Sequence, residues 1–261
     1  MFPKVFVSGL LVLAVAIATN GQQTSVPSRD GKVGRSEPSQ KRLKIGIFAF
    51  GSLIADPGEE LDSATESRLE AETPFSVEYG RTSRRTRGGA PTLVPVKTGG
   101  AKVKATIFIL KDSISEQEAR NILWRRETRQ VGSGKTYKRP ANPGPNSVLV
   151  ATSRDFMGLD RVFYTDFADS GKLVNPTATE LAQLAVGSAR DRDVSEGMDG
   201  ISYLMAAKKA GIRTPLSADY EKEILRITRA LNLEEALKKV RGAPAKNRRV
   251  RSVALDLGDS P

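Results

Sequence analysis

The sequence predicts an α+β domain, a mixed sheet or barrel with flanking helices, on three observations. Short apolar or alternating runs typical of strands crowd the stretch 44–110 and return at 147–167. Helical periodicity interrupts them once, near 115–128, and then fills 178–240. No regular strand–helix–strand alternation links the two, which argues against a parallel doubly wound sheet. With 261 residues, 39% hydrophobic and 27% charged, the chain has a globular balance and the length to bury a sizeable core.

Element by element, KIGIFAF at 44–50 is a short apolar strand halted by the tight turn Gly51-Ser52. Residues 75–82 alternate Phe75, Val77 and Tyr79 with polar neighbours, the pattern of a half-buried strand. The strand at 92–96 contains Pro95, which cannot donate to a ladder and so belongs on an edge. VKATIFIL at 103–110 is another strand, and 147–152 with 161–167 complete the set. Between them, SISEQEARNILWRRET places Ala119, Ile122, Leu123 and Arg126 at helical spacing. Further helices are expected at 178–189, 200–210 and 218–240, and one domain spans 43–240.

Composition narrows the chemistry. Lys and Arg total 41 against 30 Asp and Glu, a net charge of +11 that favours anionic ligands. The chain has no His and no Cys. That removes Ser-His-Asp and Cys-His nucleophiles, thiolate redox chemistry, zinc sites built on imidazole or thiolate, His-ligated haem and every disulfide. Proton transfer in such a chain has to run on Glu, Asp, Tyr, Lys or Ser.

Residues 1–18 read as a secretory signal peptide: Lys4, an apolar run, then an Ala16-Ile17-Ala18 cleavage signal. The run is about 14 residues, short of the roughly 20 that span hydrocarbon. A secreted or periplasmic location is therefore expected, with an uncleaved membrane anchor as the alternative. Residues 19–42, rich in Ser, Gly, Pro and Gln, read as a disordered linker. From Arg241, RGAPAKNRRVR opens a basic tail, 241–261, read as a solvated segment or, functionally, as an attachment to an anionic surface.

Four motifs could carry chemistry. Gly132-Ser133-Gly134-Lys135-Thr136 looks like the end of a phosphate-binding loop, but Arg129 stands where that pattern needs Gly, and the segment follows a helix instead of opening one. Phe50-Gly51-Ser52-Leu53 ends a strand so that successive backbone N–H groups can converge on a carboxylate or phosphate, or simply form a tight turn. Glu127 closes the helix begun near Ser115, where the negative partial charge disfavours an ionised carboxylate, as suits a general base. Arg125, Arg126 and Arg129 pull the other way, and the bland reading of Glu127 is a surface ion pair. Ser115-Glu116-Gln117-Glu118 matches a capping box, which makes Glu118 structural and replaceable by Gln at little cost.

Taken together, Phe-Gly-Ser-Leu-Ile at 50–54, SRRTRGG at 83–89, Arg126-Glu127 before a glycine-rich loop ending in Tyr137, and SEGMDGISYLMAAKKAGI at 195–212 resemble the gamma-glutamylcyclotransferase family, its ChaC-type branch most closely. The match runs from about residue 44 to 230 and keeps motif order and approximate spacing. The resemblance implies a gamma-glutamylcyclotransferase-like mixed β-barrel or sheet, Glu127 as catalytic base, and Gly51, Ser52 and Leu53 as the turn receiving a γ-glutamyl group, with Phe50 in place of Tyr. Tyr137 would close the site. It further implies release of 5-oxoproline from glutathione, another γ-glutamyl compound or a γ-glutamylamine, with no metal or organic cofactor. The partner is a small molecule, with neither nucleic acid nor a stable membrane span. A non-catalytic domain binding an anionic ligand on the same fold is the alternative from another class. Two departures accompany the match: Phe50 lacks the hydroxyl of Tyr, and the connection 128–136 is longer than a Gly-Gly turn.

Overall fold

The computed structural model describes residues 43–242. The leader, the linker and the tail beyond 242 lie outside the described residues. The chain runs β1 (Ile45–Ala49), α1 (Ser52–Ala55), α2 (Glu59–Ala64), β2 (Thr65–Glu72), β3 (Val77–Ser83), α3 (Arg84–Arg87), β4 (Ala90–Pro95), β5 (Lys104–Leu110), α4 (Glu116–Glu127), β6 (Val148–Phe156), β7 (Leu159–Phe167), α5 (Ala178–Arg190), α6 (Gly200–Lys209), α7 (Ser217–Thr228) and α8 (Leu233–Gly242).

Five strands form one mixed sheet in the order β2-β5-β1-β7-β6, and β3 and β4 form a separate two-stranded ribbon. Strand β1 lies at the centre, antiparallel to β5 and parallel to β7, with all five residues buried. A continuous apolar run is what a strand covered on both faces requires. The expected barrel is not seen: β2 and β6 are edges that do not close on each other, so the sheet is open. Pro95 does fall in a ribbon strand with a free edge.

Alternation along β1 divides the core. Ile45, Ile47 and Ala49 pack with Ile122 and Leu123 of α4. Phe48 points to the other face, among Ile107 and Val162, with its ring 5.2 Å from that of Phe156 and 6.1 Å from that of Phe75. A third cluster joins the ribbon to α5–α8 through Val77, Tyr79, Leu93, Leu181, Ala185, Ile201, Leu204 and Tyr220. Glu78, buried at the seam, accepts from the Leu216 N–H (3.2 Å), the Tyr79 N–H (2.9 Å) and the Thr214 hydroxyl, pinning the ribbon to the start of α7.

One strand has no counterpart in the sequence reading, and one helix departs from it. Strand β2 carries helix-favouring residues (TESRLEAE), yet it pairs along β5 and packs Leu69 and Ala71 against the sheet, so tertiary pairing overrides propensity. The segment expected as one helix over 218–240 is two. Arg229 takes the left-handed conformation (φ 52°) that ends α7, and the Asn232 side chain accepts from the Glu235 N–H (2.8 Å) to start α8. None of the helices in the described residues is long and apolar enough to cross a membrane.

The basic tail begins later than its composition suggests. Arg241 belongs to α8, and its guanidinium pairs at 2.8 Å with Asp199, whose side chain is fully buried at the start of α6. Asp199 also caps α6 by accepting from the N–H and the hydroxyl of Ser202. Arg241→Met should therefore destabilise the domain by about 1–3 kcal/mol, because a buried carboxylate loses its cation. A chain ended after 242 should melt like the full-length protein, whereas one ended after 240 should behave like Arg241→Met. Equal melting of all three would rule out this anchoring.

Candidate functional site

The turn after β1 is shaped by one residue. Gly51 has φ 72° and ψ −136°, a backbone conformation that side chains other than Gly rarely adopt. A Cβ there would also lie 2.7 Å from the hydroxyl oxygen of Tyr203 on α6. The chain can then enter the single turn of α1, where the amides of Ser52 and Leu53 have no intrahelical acceptor. Leu53 is anchored in the core and Ser52 is half exposed.

The end of α4 faces this turn. The helix closes in a Schellman arrangement, with the Gln130 N–H donating to the Arg125 carbonyl (2.7 Å) and the Arg129 N–H to the Arg126 carbonyl (3.2 Å). Arg129 supplies the left-handed residue (φ 57°), at the position where Gly is usual. The two arginines before it turn in different directions. Arg125 is buried and pairs with Glu60 (2.7 Å) and Glu118, while also donating to the Lys135 carbonyl (2.9 Å). Arg126 reaches back to α1, donating through Nε to the Asp56 carbonyl (3.0 Å), and it holds Glu127 Oε1 at 2.8 Å.

Between these elements lies a cavity of about 1140 Å³, lined by Phe50, Ser52, Leu53, Glu127 and Tyr203 among others. Glu127 is only 21% exposed and shares this space with the turn although 74 residues separate Arg126 from Ser52 in sequence. The walls carry Arg81, Arg84, Arg85 and Arg87 from β3 and α3, with Arg126, Arg129 and Lys135 from the α4 end and its loop; the carboxylates are Asp56 and Glu127. Such a donor set suits an anion and leaves little to hold a metal cation.

Of the residues singled out in the sequence, Phe50, Ser52, Leu53 and Glu127 line the cavity, and Gly51 lies buried against Tyr203 behind it. Tyr137 does not reach it. The longer connection delivers Tyr137 into the core beneath α4, where its hydroxyl accepts from the Val150 N–H (3.1 Å), its own N–H donates to Asn121 (2.8 Å) and its ring lies beside Trp124. The loop is itself tied down, since the Gly132 N–H donates to Glu60. The capping box is half formed: Ser115 accepts from the Glu118 N–H (3.2 Å), but the Glu118 carboxylate turns to Asn121 (2.9 Å) and Arg125.

Tyr203 is the residue the sequence reading quoted within a motif without assigning a role. Its hydroxyl oxygen accepts from the Leu93 N–H (3.3 Å) and touches the space a Cβ on residue 51 would fill. Burial pushes its phenol above the usual tyrosine range, so at neutral pH it is a hydroxyl donor. The Arg87 guanidinium lies 4.9 Å over its ring. Only Tyr203's place inside the motif hinted at this; its approach to Gly51 depends on α6 packing against β4 of the ribbon and the β1 turn.

No family model matches the chain, and no curated protein matches it. Among solved structures it is similar to a yeast gamma-glutamyl cyclotransferase specific to glutathione, over 70% of this chain and 99% of that one, at 11% identity and a TM-score of 0.43. At that distance, what the cavity binds has to be read from its own residues.

Two outcomes test this geometry. Gly51→Ala should destabilise by about 1–3 kcal/mol through backbone strain, with the clash at Tyr203 added to it. Tyr203→Phe removes the atom the new methyl would meet, so the double variant should be more stable than the sum of the two single effects. Strict additivity would show that the two residues do not touch. For Glu118, burial raises the carboxyl, but the hydrogen bonds from Arg125 and Asn121 and the Arg125 charge outweigh it and hold the carboxyl below the usual range. A depressed folded value gives stability that is present above the unfolded value, about 4.3, and is lost as pH falls through the folded one. The melting-temperature gap between wild type and Glu118→Gln should be open at pH 7 and close toward pH 3; a gap independent of pH would exclude the ionised pair.

Proposed function

We propose that the chain cyclises γ-glutamyl compounds, releasing 5-oxoproline and the amine previously held by the γ-carbonyl. The observation that carries this reading is the meeting of the Glu127 carboxylate and the Ser52–Leu53 turn across one cavity, with Arg126 joined to both. The order of the four sequence motifs supports it independently.

The reaction asks for little beyond positioning. The nucleophile is the substrate's own α-amine, so the site has to fold the γ-glutamyl group into an attacking conformation and relay protons from the attacking to the leaving nitrogen. Glu127 takes a proton from the α-ammonium; the freed nitrogen bonds to the γ-carbonyl carbon and gives up a second proton; the carbon–nitrogen bond to the leaving group breaks as the two protons pass to that nitrogen, which departs as an ammonium. The amides opening α1 and the neutral Tyr203 hydroxyl are donors for the oxygen on which charge develops. The substrate's own carboxylate faces the arginine wall. Glutathione is the first compound to test, and a γ-glutamylamine is the alternative within the class.

A second reading has its own support. Arg126 holds Glu127 in an ion pair, and Phe50 lacks a hydroxyl, features that suit a domain that binds an anionic γ-glutamyl ligand without turning it over.

The test is 5-oxoproline release by the purified chain with glutathione, beside ligand affinity and thermal melting. Glu127→Gln should lower turnover by roughly 10²–10⁴-fold while leaving melting and ligand affinity close to wild type. Undiminished turnover in the variant would remove Glu127 from the mechanism. Binding without turnover by the wild type would favour the second reading.

A further inference from the structure

Two partly buried arginines on the cavity wall have no anionic partner among the described residues. Arg81 lies with its guanidinium 4.1 Å over the Phe167 ring, its Nε is buried without a hydrogen-bond acceptor, and its Nη2 makes a long contact of 3.4 Å to Asn146. Arg87 stacks on Tyr203 and donates to the Met198 carbonyl at 3.3 Å. Among the described residues neither has a carboxylate within ion-pair distance. Burial weakens the charged form of both, and both line the same cavity as the Glu127 carboxylate.

A guanidinium partly withdrawn from water and left without a counter-ion is unfavourable unless a ligand supplies one. Stacking on an aromatic face fixes the planar fork in advance, so less freedom is lost when a carboxylate arrives. Farther out, Arg84, Arg85, Arg129 and Lys135 continue the positive charge along exposed parts of the wall. The cavity, at about 1140 Å³, also exceeds the roughly 300–1,000 Å³ of ordinary small-molecule sites. A γ-glutamyl head with one carboxylate occupies only part of such a space and answers only part of its charge.

Building on the cyclisation reading, we propose that the cavity receives γ-linked oligoglutamate chains, with Arg81 and Arg87 clamping the α-carboxylate of the second residue and the outer cations meeting those that follow. Among γ-glutamyl compounds this class repeats one carboxylate per residue, the complement of a continuous wall of cations. The step balances without any co-reactant. The first residue's α-nitrogen bonds to its own γ-carbonyl carbon, the bond from that carbon to the second residue's nitrogen breaks, and the two protons given up by the α-ammonium end on the released amine, which leaves as an ammonium. The products are 5-oxoproline and a chain shorter by one residue.

The experiment compares γ-glutamylmethylamide, glutathione, γ-linked diglutamate and γ-linked triglutamate on the full chain, measuring both 5-oxoproline release and calorimetric affinity. Expected is a rise in kcat/KM and affinity with carboxylate number, about 10- to 100-fold from the methylamide to the triglutamate, that shrinks as salt is raised. Arg81→Gln and Arg87→Gln should each flatten that rise about tenfold, and Arg87→Lys should recover it in part, with thermal melting confirming that the variants fold. Turnover of all four compounds at similar efficiency would overturn the oligoglutamate proposal while leaving cyclisation intact. Triglutamate binding that depends on Arg81 and Arg87, without any turnover, would uphold the clamp and overturn cyclisation. Absence of both binding and turnover would overturn the two together.

Discussion

Two consecutive guanidinium groups, Arg125 and Arg126, hold the end of α4 in place, and the site is arranged around that end. Arg125 turns inward to Glu60 and Glu118 and so fixes α2, α4 and the following loop as one unit. Arg126 turns outward to the carbonyls of the α1 turn and to Glu127. Removing either partner of a buried pair leaves a charge without compensation, which costs more than the pair itself contributes. The same two residues thereby set both the position of the candidate base and the shape of the turn it faces.

The opposite wall is set by packing. Helix α6 brings Tyr203 against Gly51, and its first turn is capped by Asp199, a buried carboxylate neutralised from α8. Helices α6 and α8 together thus fix a hydroxyl at the cavity's edge. The contact also explains why residue 51 has to lack a side chain, beyond its positive φ. Strand β1, central and buried on both faces, gives the turn a rigid base from which to project.

Charge is distributed unevenly across this arrangement. The arginines that maintain structure are paired, whereas Arg81 and Arg87 on the wall are stacked on aromatic rings and left without carboxylates. Stability alone does not call for that second state, and a ligand that brings its own negative charge resolves it. The long loop between α4 and β6 has the opposite role. It seals the core with Tyr137 and contributes Arg129 and Lys135 to the cavity margin.

The local patterns of this chain were enough to determine its class and most of its elements. The apolar run of β1, the alternation at β3, the edge proline of β4 and the 3.6-residue spacing of α4 each follow from short-range rules of burial and hydrogen bonding. The lack of His and Cys limited the available chemistry to carboxylates, hydroxyls and amines, and motif order singled out Glu127 and the 50–53 turn. Other features depended on distant partners. Strand β2 takes its conformation from β5 against its own helical propensity, and the open sheet follows from which strands find edges. Tyr137 goes to the core because Asn121 and the Val150 N–H are there to satisfy it. Tyr203 enters the site because α6 packs against β4 and the β1 turn. Sequence determines what a segment can form by itself, whereas a site made of residues more than seventy positions apart exists only once the core has packed and each buried polar group has found its partner.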